Sequence, residues 1–303
     1  MSTPFSLVII SKNELSQEQI QECLQPFDAQ AQADSPYTVF RNVEEELSGM
    51  FESMSTRAYV REDGTMTTDE GEAEEKNLPV KTIALRELFP SVQDYARHCG
   101  YDYIDEKGAY GHYENPNGKW SWYVAGGSFE RFFRLRDETA NALEGYAAST
   151  RAADWDLGGQ REMAALRAGT RYDQFFEALA GAELPPAKKA FFRKYRTLAN
   201  ARSAYEALES TSRLMQADPN WLHDADPGEE FACTREQYQE RARLRTAVPF
   251  AILRDGKWLE RGSVGLLGSV QEHLSDEAWA KKVAKLYDKL KPEHWVTVLE
   301  YHP

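Results

Sequence analysis

The chain opens on a short continuous apolar run over residues 5–10, rich in β-branched side chains, the pattern of a strand buried on both faces. Ser16 followed by Gln19 has the spacing of a capping box, and Ile20, Cys23 and Leu24 then fall on one helical face. The last sixty residues return to this alternation of strand and helix. Apolar runs at 249–253 and 257–260 flank Asp255-Gly256, a two-residue hairpin signal. Ser275 is placed to cap a helix whose Trp279, Val283, Leu286 and Leu290 form one stripe, Pro292 ends it, and 295–301 alternates as a closing strand. Between these ends the pattern predicts a strand over 80–85 and a helix over 91–99. It then predicts helices over 138–147, 161–168, 172–179 and from Pro185-Pro186 to about Met215. The expectation is an α+β protein with a ferredoxin-like sheet closed by both termini and a large helical insertion in the middle. In domain terms, 1–136 with 246–303 forms the sheet domain and 137–245 the helical insertion.

Composition narrows this picture. With 303 residues, 42% hydrophobic and 12% aromatic, the chain is long and apolar enough to bury a core. Its net charge of −13 disfavours general binding of nucleic acid or an anionic membrane and suits a basic protein surface. Spaced carboxylates can also imitate DNA phosphates, and Glu44, Glu45, Glu46 and the stretch 61–76 are where that mimicry would lie. That stretch holds seven acidic residues in sixteen, among them Asp69, Glu70, Glu72, Glu74 and Glu75, and reads as a solvated loop inserted within a domain. It lacks the spacing of an EF-hand. Cys23, Cys99 and Cys233 are odd in number and far apart, suggesting reduced, mostly buried thiols rather than disulfides or a zinc site. No secretory signal and no membrane-length apolar run is seen, so a cytoplasmic location is expected, in the host cell if the chain is phage-encoded.

The most unusual local sequence lies over 110–129. Asn115-Pro116-Asn117-Gly118 is a turn by composition, and 119–123 would then alternate as a strand with Trp120 and Trp122 on one face. Three uses of this segment stay open: a hairpin whose tryptophans cap a core, a recognition surface carried by Trp120, Trp122 and Tyr123, or a small polar pocket lined by His112, Asn115, Asn117 and Lys119. Asp154 and Asp156 beside Gly158-Gly159, and the segment 223–226, read as turns rather than metal sites. The basic residues Lys188, Lys189, Arg193, Lys194 and Arg196 read as the charged face of a helix. No phosphate loop, dinucleotide fingerprint, G-x-S-x-G or HExxH string occurs, and neither a cofactor nor a metal is expected.

The strings ENPNGKWSWYVAGG, PFAILRDGKWLERGSVGLLG and VTVLEYH together resemble a family of uncharacterised proteins from tailed phages, prophages and some actinobacteria. That family typically reads ENPNAKWDWYxxGGRW in the first motif and FALxxDGxWxERGxMGWWG in the second. This chain departs from it at Ser121, where the pattern has Asp, at Ser128-Phe129, where it has Arg-Trp, and at Leu266-Leu267 in place of an aromatic pair. The resemblance implies a phage-type accessory protein and carries no activity with it. With the acidity and the missing catalytic motifs, the expected function is binding to a host protein, inhibiting or redirecting it, with an antiviral-defence protein as one such target. The alternatives are a small enzyme acting on a nucleotide or similar ligand between sheet and helical insertion, and an assembly role.

Overall fold

A computed structural model describes residues 4–136, 145–223, 226–264 and 270–303. The chain packs as two compact units, one formed by Met1–Gln17 with Trp122–Pro303 and the other by Glu18–Ser121. These cuts differ from the expected ones at 136/137 and 245/246.

The first unit is organised by a mixed sheet. Its strands run in the order Ser149–Arg151, Trp295–His302, Phe5–Ser11, Ala251–Arg254 and Lys257–Glu260, and Trp122–Ala125 also pairs with Trp295–His302. The two terminal strands are antiparallel neighbours, with Val8 opposite Val298 and Ile10 opposite Val296. Every residue from Phe5 to Ile10 is buried, as the continuous apolar run predicts. Asp255 and Gly256 both take positive φ, 51° and 70°, the backbone that a two-residue hairpin needs. The difference from expectation is directional. Phe5–Ser11 pairs in parallel with Ala251–Arg254, whereas a ferredoxin-like sheet of split βαβ units alternates direction at each neighbour. A long excursion separates the two strands, so no hairpin forces them to be antiparallel.

One face of the sheet is covered by the helix Asp276–Tyr287, capped by Ser275 as expected. Trp279, Val283 and Tyr287 pack there with Val8, Ile10, Ile252, Val296, Val298, Phe133 and Trp155. Between Ser149–Arg151 and Ala251–Arg254 the described chain is helical. Leu157–Leu179 is one continuous helix where two were expected, and it starts earlier than expected because Asp156 caps it by accepting from Gly159 N at 3.0 Å. The single long helix expected from Pro185 is instead three, Lys188–Phe192, Leu198–Glu206 and Glu209–Ala217. Thr197 accepts from Asn200 N and restarts the helix, a local side-chain bond that periodicity alone does not reveal. Leu157–Leu179 also packs against Arg235–Arg245. Gln239 donates to the Ala165 carbonyl at 3.1 Å, and the pairs Arg235–Asp173 and Arg243–Glu162 lie on either side. Phe175 stacks on Phe231 at 3.7 Å in the core of this region. Of the helix expected over 138–147, residues 138–144 lie outside the described residues, and Tyr146–Ala147 is instead a short strand paired with Phe133–Arg134.

The second unit holds two small sheets. One orders Val39–Asn42, Ala109–Glu114 and Asp102–Ile104, the other Met66–Thr67, Ser55–Val60 and Val80–Ala84. Val43, Leu47, Leu85, Tyr95 and Ala96 form its core. The acidic stretch 61–76 is not a loop here. It contributes the strand Met66–Thr67 and the helix Glu70–Lys76. Asp69 caps that helix by accepting from Glu72 N at 3.0 Å, and Glu72 binds both Arg61, at 2.7 Å, and Lys76, at 3.0 Å. Glu, Ala and Lys are good helix formers, so a high density of charge concealed a capped helix.

Candidate functional site

The residues of the Asn-Pro-Asn-Gly turn belong to the second unit and hold its backbone together. Asn115 is buried; its amide donates to the carbonyls of Pro26 and Asp28, both at 3.0 Å, and its Oδ1 accepts from Asn117 N at 2.9 Å. Lys119 N donates to the Phe27 carbonyl at 2.8 Å. Trp120 is buried, and its Nε1 donates to the Leu24 carbonyl at 3.0 Å. Asn115, the Lys119 backbone and Trp120 thus clamp the segment 24–28, a structural use of the turn. The Asn117 side chain stays exposed. His112 lies on Ala109–Glu114, with Nε2 3.2 Å from the Glu114 carboxylate and its ring centroid 5.5 Å from that of Tyr101. Of the acidic residues, Asp69 and Glu72 serve the capped helix, while Glu70, Glu74 and Glu75 are exposed on it.

Trp122 has a different fate, because the strand begins only there. Trp122–Ala125 is antiparallel to the end of Trp295–His302, with Trp122 opposite His302, Tyr123 opposite Tyr301 and Val124 opposite Glu300. Strand alternation puts Trp122, Val124, Glu300 and His302 on one face. Trp122 is 49% exposed and lies flat on His302, with ring centroids 3.9 Å apart and planes 12° from parallel. His302 is buried and bonded through Nε2 to Glu300 Oε1 at 3.2 Å. The other oxygen, Glu300 Oε2, accepts from Ser128 N at 2.7 Å and from the Ser128 hydroxyl. These Ser128 bonds, with His302 adding to them, hold the Glu300 carboxyl below the usual carboxylate range. The turn that brings Ser128 round needs Gly127, which has φ of 56° and whose Cβ would sit 2.6 Å from Glu300 Oε2.

Both oxygens of Glu300 are occupied, and the Ser128 hydroxyl faces the carboxylate rather than the imidazole. The trio therefore lacks the nucleophile-to-base contact of a hydrolase. What it does provide is rigidity. Sheet pairing, a stacked imidazole and a doubly bonded carboxylate fix an indole whose outer face is open, beside the exposed Val124. Ser128, Glu300 and His302 were not found by sequence reasoning. Ser128 and Glu300 are 172 residues apart and become neighbours only through strand pairing. The one available signal was that position 128 departs from the resembled pattern. Tyr123, on the opposite face, is half-buried, and its hydroxyl is 3.5 Å from Gln17 Nε2.

The cysteines are not the buried thiols expected: Cys23 and Cys99 are exposed and Cys233 is half-buried. The weaker clusters have structural roles. Asp156 is a helix cap, Asp154 pairs with Arg151 at 2.8 Å, and Trp155 between them is core. Of the segment 223–226, residues 224 and 225 lie outside the described residues. No group of three or more His, Cys, Asp or Glu that could hold a metal ion occurs among the described residues, and none of their helices is long and apolar enough to cross a membrane. No family model, curated protein or solved structure matches the chain.

Proposed function

We propose that the protein acts by binding another protein, and that the Trp122 face of the strand Trp122–Ala125 is the contact. The observation that carries this reading is the exposed indole held flat on a buried, carboxylate-bonded histidine. A rigid aromatic that loses little freedom on association is the kind of residue that dominates interface energetics. Val124, 42% exposed on the same face, extends the apolar patch. The net charge of −13 selects a partner with a basic surface, drawn in by long-range attraction. The phage-family resemblance of the motifs around Trp122 and the closing strand suggests what the partner is: a host protein, inhibited or redirected by a phage-type accessory chain, with a defence protein as one such target.

The test is affinity capture of the tagged protein from a bacterial host lysate, run in parallel with Trp122→Ala. The expected result is a stoichiometric partner that the substitution removes while the melting temperature stays within a few degrees. Retention of the same partner by Trp122→Ala overturns the assignment of the contact.

A further inference from the structure

An open cleft of about 810 Å³ in the first unit is lined by arginines from two helices, Arg167 and Arg171 on Leu157–Leu179 and Arg241 and Arg245 on Arg235–Arg245. The two members of each pair are four residues apart and so share a helix face. All four residues are exposed, an unusual concentration of guanidinium in a chain with 36 basic against 49 acidic residues. Four carboxylates, Asp226, Glu229, Glu230 and Glu277, line the cleft as well; Glu229 is exposed, and the other three have local partners. Glu230 accepts from the Tyr238 hydroxyl at 2.6 Å and lies 3.5 Å from Arg171, Asp226 accepts from Lys188 N at 2.6 Å, and Glu277 pairs with Lys281. One oxygen of each of Asp226 and Glu230 is shut off from solvent, and both residues line the cleft. Arg171 is held between Glu230 and the ring of Trp221, 5.4 Å away. Arg241 lies 3.4 Å from the Glu230 carbonyl, Arg245 lies 3.8 Å from Asp276, both also attract the Glu277 carboxylate, and Arg167 makes no ion pair among the described residues.

We propose that this cleft binds a small polyphosphate-bearing molecule, of the nucleoside triphosphate or inorganic polyphosphate class. Guanidinium groups fit phosphate oxygens in a forked geometry, and several around one cavity neutralise several adjacent charges. The volume lies within the range of small-molecule sites and accommodates a triphosphate with its nucleoside. A pocket of this size favours a small ligand over a nucleic-acid strand, which the overall acidity would repel.

Titration calorimetry with ATP and with inorganic tripolyphosphate, in low salt, tests the assignment. At least one is expected to bind saturably, and Arg167→Ala and Arg241→Ala should each weaken binding about tenfold or more with the fold intact by circular dichroism. Arg241→Lys should recover only part of the affinity, since an ammonium keeps the charge and loses the fork. Arg202→Ala, on another helix, should leave binding unchanged. Tighter binding of ATP than of tripolyphosphate assigns part of the cleft to the nucleoside, and equal binding assigns it to the phosphate chain; either supports the site. No saturable binding of either compound, or binding that Arg167→Ala and Arg241→Ala leave unaltered, overturns it. Protein capture through Trp122 is read separately, so failure here leaves that reading standing.

Discussion

Trp120 and Trp122 stand two residues apart and have opposite surroundings. Strand alternation from 119 would have put both on one face, but the strand begins at Trp122, while Trp120 is tied to the Leu24 carbonyl. Only the backbone partners of each position separate them, and those partners are distant in sequence. Trp120→Ala should therefore cost about 3–5 kcal/mol, the range for truncating a buried aromatic, and lower the unfolding midpoint clearly. Trp122→Ala should leave that midpoint nearly unchanged in the same urea titration. Glu72 gives a second residue-scale prediction. Its hydrogen bond from Arg61, supported by Lys76, lowers its pKa from 4.5 to about 2. A depressed carboxylate stabilises the fold above its ordinary pKa, and that contribution is lost as pH falls from about 4.5 toward 2. Carboxyl NMR should find the Glu72 midpoint near 2, moving back toward 4.5 in Arg61→Ala.

Among the elements, those written in local pattern are where they were expected. The terminal strands, the Asp255-Gly256 hairpin, and the helices Val92–His98 and Asp276–Tyr287 with their serine caps follow from periodicity and capping alone. Elements decided by tertiary partners were not legible. The parallel direction of Ala251–Arg254 beside Phe5–Ser11 is set by the course of the intervening chain, and the break near Thr197 by one hydroxyl. The closing strand lies inside the sheet, between Phe5–Ser11 on one side and Ser149–Arg151 and Trp122–Ala125 on the other. Leu299→Ala, at a fully buried position, should cost about 2–5 kcal/mol by thermal or urea unfolding. Removing 294–303 should abolish the cooperative transition, because three strands lose their partner and domains carry only about 5–15 kcal/mol of net stability.

Across the whole molecule, the charge was legible and the organisation only partly so. A helical middle and a sheet joining both termini follow from the order of patterns, but the packing of Glu18–Ser121 as a unit of its own depends on contacts such as Asn115 with Pro26 and Asp28. The acidity predicts salt-sensitive association, since exposed charges are screened over about 8 Å at physiological ionic strength. Surface plasmon resonance against the captured partner should show an association rate that falls from low to physiological salt, with a smaller change in dissociation. Reversing Glu70, Glu74 and Glu75 together should slow association further if that helix faces the partner, without disturbing Asp69 or Glu72, which hold the helix.

The most direct test of the binding account compares Trp122→Ala with Val124→Ala and the unaltered protein in one quantitative capture experiment, with melting temperatures measured on the same preparations. One stoichiometric partner is expected, reduced about tenfold or more by Trp122→Ala and less by Val124→Ala, with all three proteins melting within a few degrees of each other. A partner held equally by all three, or no partner from any lysate of a susceptible host, would contradict it.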